Sequence, residues 1–375
     1  MRFECFSSTW HHCLLNDCVI FLDEQRKPIK ETDRKKIKGE YPYYGASGII
    51  DNINSYIFDD DLILLSEDGA NILDRNYRVS FIVRGKIWVN NHAHVLKPKN
   101  KIDINYLSEY LENLDYAKYN TGSAQPKLNQ DVCKNIIINI PDYNEQQKIG
   151  KFLSIINQRI DTQSKIIEDL ESFKNMISYK ILYDDKTACY KPLSSFSELK
   201  NGYAFKSTTY SSKGNYQIVT IANVSGERYI DLTSTNKILN IPNDIQSHQI
   251  LKINDILISL TGKVGRVSYC NKLNCLLNQR VGLLSIKNKD LIEYIFQSIH
   301  NKIFEKTMIS RGQGVAQLNI GKNDVESFEI PVYNQDKMNS ISEVLKSIDF
   351  KIIKEKDILE LYKKQKAYLL KNMFI

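Results

Sequence analysis

The sequence predicts an α+β chain. Two similar globular units of mixed α/β structure are each followed by a long helix, and the two helices join as an antiparallel coiled coil about a pseudo-twofold axis. Three observations predict it. A segment of the first half returns in the second: Gly122-Ser123-Ala124-Gln125-Pro126-Lys127-Leu128-Asn129 leads to Ile140-Pro141, and Gly312-Gln313-Gly314-Val315-Ala316-Gln317-Leu318-Asn319 leads to Ile330-Pro331, with the same glycine-to-proline interval. The same order of short apolar runs approaches both copies, and a long stretch of helical period follows each. An internal repeat constrains architecture more than any single motif does. The segments read as a first domain over 1–142, a helix over 143–183, a second domain over 184–332 and a last helix over 333–375.

In the first domain, 61–66, 79–83 and 86–89 are short β-branched runs bounded by Asp68-Gly69 and Arg84-Gly85, the mark of strands. Residues 104–119 carry Tyr106, Leu107, Tyr110, Leu111 and Leu114 on one helical face. Residues 136–140 form a last strand, which Pro141 ends. The second domain repeats this order. Its strands are 253–260, 281–286 and 328–331, and its helix is 290–306, with Ile292, Ile295, Phe296, Ile299 and Ile303 inward. The chain before Tyr41 has no clear counterpart of Leu199-Lys200-Asn201-Gly202-Tyr203-Ala204-Phe205, so the first unit is expected to be diverged or to have an irregular first strand.

The long helices carry matched seams. Ile149, Leu153, Ile156, Ile160, Gln163, Ile167, Leu170, Lys174, Ile177 and Ile181 alternate in steps of four and three. Ile341, Leu345, Ile348, Ile352, Glu355, Leu359, Tyr362, Lys366, Leu369 and Met373 do the same, with polar residues at the same two steps. A 3.5-residue period keeps one seam toward a partner helix, and polar seam residues set register. A helix of about forty residues spans about 60 Å, beyond the width of a small domain. Each therefore needs another helix. The short link 184–191 lets the second pair with the first only by running back. The expected product is a rod with one unit at each end.

With 375 residues each half can bury a core, and the net charge of +7 is compatible with nucleic acid without requiring it. The seven cysteines, an odd number with no Cys-x-x-Cys, read as reduced thiols. No secretory h-region or bilayer-length apolar run is present, so a cytoplasmic, non-membrane protein is expected. No cluster has four metal ligands at zinc spacing, and no Walker lysine, methyltransferase or nuclease signature stands out. An enzymatic role is not expected.

Candidate DNA contacts lie at turns. Thr261-Gly262-Lys263-Val264-Gly265-Arg266 follows a strand; its glycines allow close approach, and Lys263 and Arg266 suit phosphate or a guanine edge. Tyr44 and Ser47, in Tyr43-Tyr44-Gly45-Ala46-Ser47-Gly48, suit backbone or base edges. Asn91-His92-Ala93-His94 and Asn278-Gln279-Arg280 stand in similar places, each just ahead of a strand; Asn, Gln and Arg are the bidentate readers of adenine and guanine. Arg311 is a phosphate candidate, and Lys206 completes the set. Ordinary turns with solvated charges explain the same residues equally well.

Two dissimilar readers on a rigid spacer suit a bipartite duplex target. In the order of its pieces the chain resembles the specificity subunits of type I restriction–modification systems. The pieces are Tyr43-Tyr44-Gly45-Ala46-Ser47-Gly48, the loop 122–129 with its echo 312–319, Ile140-Pro141 with Ile330-Pro331, and the helix openings Asn144-Glu145-Gln146-Gln147-Lys148-Ile149 and Asn334-Gln335-Asp336-Lys337-Met338. The resemblance covers essentially the whole chain. It implies two target-recognition domains on double-stranded DNA and a non-catalytic adaptor that docks two methyltransferase subunits through its helices. It leaves room for a nuclease/translocase (restriction) subunit. It implies no cofactor in this chain, with S-adenosylmethionine held by the methyltransferase partner. A bipartite DNA-binding regulator or a coiled-coil scaffold, acting without a methyltransferase, is the alternative.

Overall fold

A computed structural model of the chain describes residues 6, 8–185, 188–314 and 317–374. The amino-terminal run 1–5, with Cys5, and Val315 and Ala316 of the second copy lie outside the described residues. The chain divides into two compact units, Met1–Ser164 with Asp357–Ile375, and Lys165–Lys356. Each unit thus takes a part of both long helices.

In the first unit the strands are β1 (His11–Leu14), β2 (Val19–Phe21), β3 (Lys38–Gly45), β4 (Gly48–Ile53), β5 (Phe58–Asp59), β6 (Leu62–Ser66), β7 (Ser80–Val83), β8 (Lys86–Val89), β9 (Ala93–Pro98) and β10 (Ile137–Ile140). They form a β1-β10 pair and two four-stranded sheets, β2-β9-β6-β7 and β4-β3-β8-β5. In the second unit they are β11 (Cys189–Pro192), β12 (Ser197–Asn201), β13 (Tyr216–Val219), β14 (Asn236–Ile238), β15 (Ile256–Ser259), β16 (Val267–Tyr269), β17 (Cys275–Leu277), β18 (Val281–Ile286) and β19 (Glu329–Val332). The orders β11-β19, β12-β18-β15-β16 and β14-β13-β17 repeat those of the first unit, except that no strand among the described residues corresponds to β5. The central strands β6 and β15 are buried along their whole length, which is why they read as unbroken apolar runs rather than alternating ones. The strand β2 pairs with β9 as β12 pairs with β18, but over three residues instead of five, and the irregularity before Tyr41 falls in β3, whose register on β4 shifts between Lys38 and Tyr41.

Both domain helices differ from their predicted extents. Residues 104–119 form a helix Ile104–Asn113 and a separate 3-10 turn Tyr116–Tyr119, restarted by the Asp115 side chain, which accepts from the Ala117 amide. Residues 290–306 are broken: a 3-10 turn Lys289–Leu291 leads to a helix Ile292–Ile299, and a second helix runs Lys302–Arg311. Asn301 causes the break, because its Oδ1 accepts from the amides of Ile303 and Phe304 and so caps a new helix.

The repeat also needs a correction. The loop 122–129 does not correspond to 312–319 but to a segment two residues further on. Thr121 N donates to Lys127 O, Gly69 N to Pro126 O and Leu128 N to Glu67 O. Gln313 N donates to Asn319 O, Gly262 N to Leu318 O and Ile320 N to Leu260 O. Gly122 therefore matches Gly314, and Gly122-Ser123-Ala124-Gln125 matches Gly314-Val315-Ala316-Gln317. The same offset of 192 relates β10 to β19 and every seam residue to its counterpart. A two-residue slip leaves each extended side chain on its own face, so the apolar pattern alone does not reveal it. Leu128 and Ile320 are the buried pair.

The long helices are Tyr143–Leu182 and Gln335–Met373. In the second unit Tyr333 Oη donates to Ile181 O, Lys174 pairs with Asp349 and Lys356 pairs with Glu171. One number rises as the other falls, so the segments run antiparallel. In the first unit Ile149, Leu153 and Ile156 share a core with Leu369, Leu370 and Met373, again start against end. Of the seam, Ile149, Leu153, Ile156, Ile167, Leu345, Ile352 and Leu369 are buried, and Ile160, Leu170, Ile348 and Leu359 are half-buried. Gly150 admits the domain helix closely, since a Cβ there would lie 2.4 Å from Asp103 Oδ1.

The polar seam residues do more than set register. Lys174 donates toward Asp349 (2.5 Å), which also takes Arg228 (2.9 Å) and the Gln297 amide (2.8 Å). In the first unit Lys366 pairs with Glu109 (3.0 Å), which takes the Asn157 amide (2.8 Å) and Arg78. Carboxylate and amide have changed places. The acid stands on the long helix in one unit (Asp349, with Gln297 on the domain helix) and on the domain helix in the other (Glu109, with Asn157 on the long helix). Either way a lysine of the opposing helix, buried in the second unit and half-buried in the first, ties both helices to the domain.

Candidate nucleic-acid interface

In each unit three connections meet beside the end of the central strand. In the second unit the first is the turn after β15. Ser259 braces it: its Oγ donates to Lys263 O (2.6 Å) and accepts from Arg266 N (3.0 Å). Gly262 and Gly265 stand at φ +76° and +77°, the left-handed region that suits glycine. Lys263 is exposed at the tip. The second is the turn between β17 and β18. Asn278 N donates to Val219 O, Gln279 N to Tyr203 O and Arg280 N to Asn278 Oδ1, while Leu260 N donates to Arg280 O. The backbone is held by these bonds, and the Gln279 and Arg280 side chains are exposed with no partner among the described residues. The third is the loop 312–319. Thr261, buried, donates its hydroxyl to Asn319 Oδ1 (2.8 Å) and joins this loop to the first turn.

The first unit builds the same place from different side chains. Ser66, the counterpart of Ser259, donates to Ala46 O (2.6 Å) and holds the tip of the β3-β4 hairpin, where Ser47 is exposed. Asn90 N donates to Tyr44 O, His92 N to Asn90 Oδ1 and Glu67 N to His92 O. His92 thus stands where Arg280 stands, and Asn91 where Gln279 stands. His92 Nδ1 faces Asp68 (2.8 Å), and Lys127 lies 3.6 Å from Glu67. The second unit's tips, with Lys263 and Arg280 unpaired among the described residues, are the more basic.

The other candidates are placed differently. Tyr44 is half-buried against Phe81, and burial raises its phenol. Arg311 donates through Nη1 to Asp324 O (2.5 Å) and Ser327 Oγ (3.2 Å), capping the short helix Lys322–Glu326, so this end of its guanidinium is used within the protein. Arg266 is half-buried, with Nε 3.8 Å from Glu305. It lines a cavity of about 240 Å³ with Lys174, Arg228 and His300, beside the long helices. Lys206 is exposed on the 3-10 turn that follows Tyr203. The structure thus groups Thr261, Lys263, Gln279 and Arg280 in one unit, and Ser47 and His92 in the other.

A buried charge cluster lies beneath the first unit's loop and was missed in the sequence, because its members are far apart. His94 Nδ1 donates to Asp23 Oδ2 (2.6 Å) and Nε2 to Leu128 O (2.8 Å). Two acceptors make this ring an imidazolium. Burial alone would lower its pKa, but the Asp23 carboxylate outweighs it, and the value is pushed up to about 10. Asp23, Glu67 and His94 come close enough to hold a metal ion. Arg26 already serves as their cation, 2.5 Å from Glu67 and 3.6 Å from Asp23, and the second His nitrogen is taken by a carbonyl, so the trio does not fit a metal.

This arrangement is a shared scaffold of braced turns that carries different donors at its tips in the two units. The sequence matches the type I restriction modification DNA specificity domain over residues 8–172 and again over 187–363. The chain belongs to that family, and it has the specificity-subunit organisation of type I restriction–modification systems. It is 25% identical to the MjaVIII specificity subunit of Methanocaldococcus jannaschii, over 96% of this chain and 92% of that one. It is 34% identical to S.HindORF215P of Haemophilus influenzae over 142 residues, which span 38% of this chain and only 36% of that protein. The crystal structure of the type I system S subunit from M. genitalium shares the fold, with a TM-score of 0.67 at 14% identity and coverage of 100% and 99%. No helix among the described residues is long and apolar enough to cross a membrane.

Proposed function

We propose that this chain is the non-catalytic sequence reader of a type I restriction–modification complex. Each unit meets one half of an asymmetric, bipartite double-stranded DNA target. The observation that carries this is the repetition of one braced-turn scaffold with different exposed donors: Gln279, Arg280 and Lys263 in one unit, Asn91, His92 and Ser47 in the other. Arg280 against His92 and Gln279 against Asn91 are equivalent positions with unlike chemistry, which read unlike bases, and Lys263 and Ser47 add donors from different turns.

The long helices support docking of two methyltransferase subunits. Besides the buried seam they expose a second apolar set, Phe152, Ile155, Ile166, Phe173 and Met176 on the first helix and Val344, Phe350, Leu361 and Tyr368 on the second. Apolar residues in such number along a helix mark a protein interface. The partners would bring S-adenosylmethionine and adenine methylation, and a nuclease/translocase subunit would complete restriction. The helices would fix the spacing of the half-sites.

The test is co-expression with the system's methyltransferase subunit. The complex is expected to shift duplex DNA specifically and the isolated chain is not. Full specificity by the isolated chain refutes the adaptor reading in favour of a free-standing regulator. Failure to co-purify, with no DNA binding, favours a scaffold. Insertions near Gln163 are expected to change half-site spacing in the methylome while the half-site bases stay the same.

A further inference from the structure

We infer that Gln125 and Gln317 are equivalent contacts to the DNA phosphate backbone, one in each unit, which seat both units on DNA without reading sequence. The inference rests on the DNA-reading function proposed above.

The corrected register carries it. At the tips of the two units the side chains differ: His92 against Arg280, Asn91 against Gln279. The sequence Gly-x-Ala-Gln, in contrast, is the same in both loops. The local geometry is the same too. A Cβ on Gly122 would lie 1.8 Å from Gln125 O, and one on Gly314 would lie 2.4 Å from Gln317 O, so in each loop only glycine lets the chain fold back on the glutamine. Both loops are closed by one equivalent backbone bond and tied by two more to the end of the central strand. Core packing accounts for Leu128 and Ile320, but it does not account for the glutamines. Gln125 and Gln317 are exposed, and neither side chain has a partner among the described residues.

A residue repeated where its neighbours differ meets something common to both half-sites. Two things are common: the phosphodiester backbone and the methyltransferase subunit. Position favours the backbone. A Cβ on Gly262 would lie 3.0 Å from Gln317 Nε2, so this amide lies over the turn that presents Lys263. In the first unit the loop lies against Asp68, the partner of His92. Chemistry favours it as well. The exposed side chains Ser123 and Gln125 are polar and uncharged, whereas the apolar residues suited to a protein partner stand on the long helices. Glutamine amides are ordinary phosphate donors, and phosphate contacts position a protein without specifying bases.

The experiment uses the chain co-purified with its methyltransferase subunit, titrated with a duplex of the methylome-defined target and with a scrambled duplex. Gln125→Ala and Gln317→Ala are each expected to weaken binding to both duplexes by about tenfold, the scale of one hydrogen bond to a charged group. The methylated sequence should not change. Gln125→Lys and Gln317→Lys are expected to restore binding and to steepen its salt dependence by about one phosphate contact. Unchanged affinity in the alanine variants overturns the inference. So does an altered half-site sequence, which would make the glutamines base readers, and so does loss of co-purification, which would make the loops a methyltransferase contact. If the unsubstituted complex itself fails to assemble or to bind DNA, the proposed function has failed instead.

Discussion

Replacing Asp349 tests the buried network that ties the long helices to the second unit. Asp349, Lys174 and Arg228 are 4, 8 and 6% exposed. Asp349→Leu removes the acceptor shared by Lys174, Arg228 and Gln297. Arg228 keeps Glu293 at 2.9 and 2.6 Å, so the damage falls on Lys174, left among the described residues with His300 Nδ1 at 2.9 Å. Removing one partner of a buried ion pair costs about 3–5 kcal/mol. Lys174→Met leaves Asp349 with Arg228 and Gln297 and is expected to cost less, about 1–2 kcal/mol, the scale of a single charged hydrogen bond. The pH dependence has a fixed sign. Burial holds Lys174 below the usual lysine range, although Asp349 raises it. Without Asp349 the folded pKa falls further. The unfolded chain then binds more protons across the window between the two values, so stability rises with pH there. The Asp349→Leu deficit is therefore largest near neutral pH and shrinks toward about pH 10. Urea unfolding at pH 7 and 9.5, with amide exchange across 170–178 and 345–352, measures both effects. A cost below about 1 kcal/mol, equal costs for the two variants, or a deficit that does not change with pH refutes the reasoning.

Three further outcomes are expected. Glu109→Gln destabilises the first unit by stranding Lys366 and Arg78, and adding Asn157→Asp recovers most of the loss, because the pair then copies Gln297 and Asp349; thermal unfolding of single and double variants checks this. The His94 imidazolium, at about 10 when folded against an ordinary 6.5, stabilises fully below about pH 6.5 and loses that contribution as pH rises through about 10, so the unfolding midpoint should fall over that range, and His94→Gln should flatten the fall. Arg280→Ala and Lys263→Ala weaken recognition of one half-site only, whereas Arg311→Ala lowers stability near Lys322–Glu326 and leaves the methylated sequence unchanged; methylome sequencing beside thermal unfolding separates them.

The broad plan was legible in the amino-acid sequence because it rests on periodicity. The 4-3 spacing from Ile149 to Ile181 marks one face of a helix, and an unbroken run such as Leu62–Leu65 marks a strand buried on both faces. Both follow from local geometry, so both survive without knowledge of the partners. Extents were less legible where a single side chain redirects the backbone, as Asn301 does when it caps a new helix inside an apolar pattern.

What only the tertiary structure decided is which residues meet. Local pattern is blind to a two-residue slip, so the true register of the repeat emerged from hydrogen bonds that Glu67 and Leu260 accept, more than fifty positions away in sequence. The same holds for Arg311, whose charge suggested phosphate until its guanidinium was found on the carbonyl of Asp324. It holds as well for His94, made an imidazolium by Asp23 and a distant carbonyl. Side-chain charge is a property of the residue, but its availability is a property of its neighbours, and those are brought together only by the folded chain.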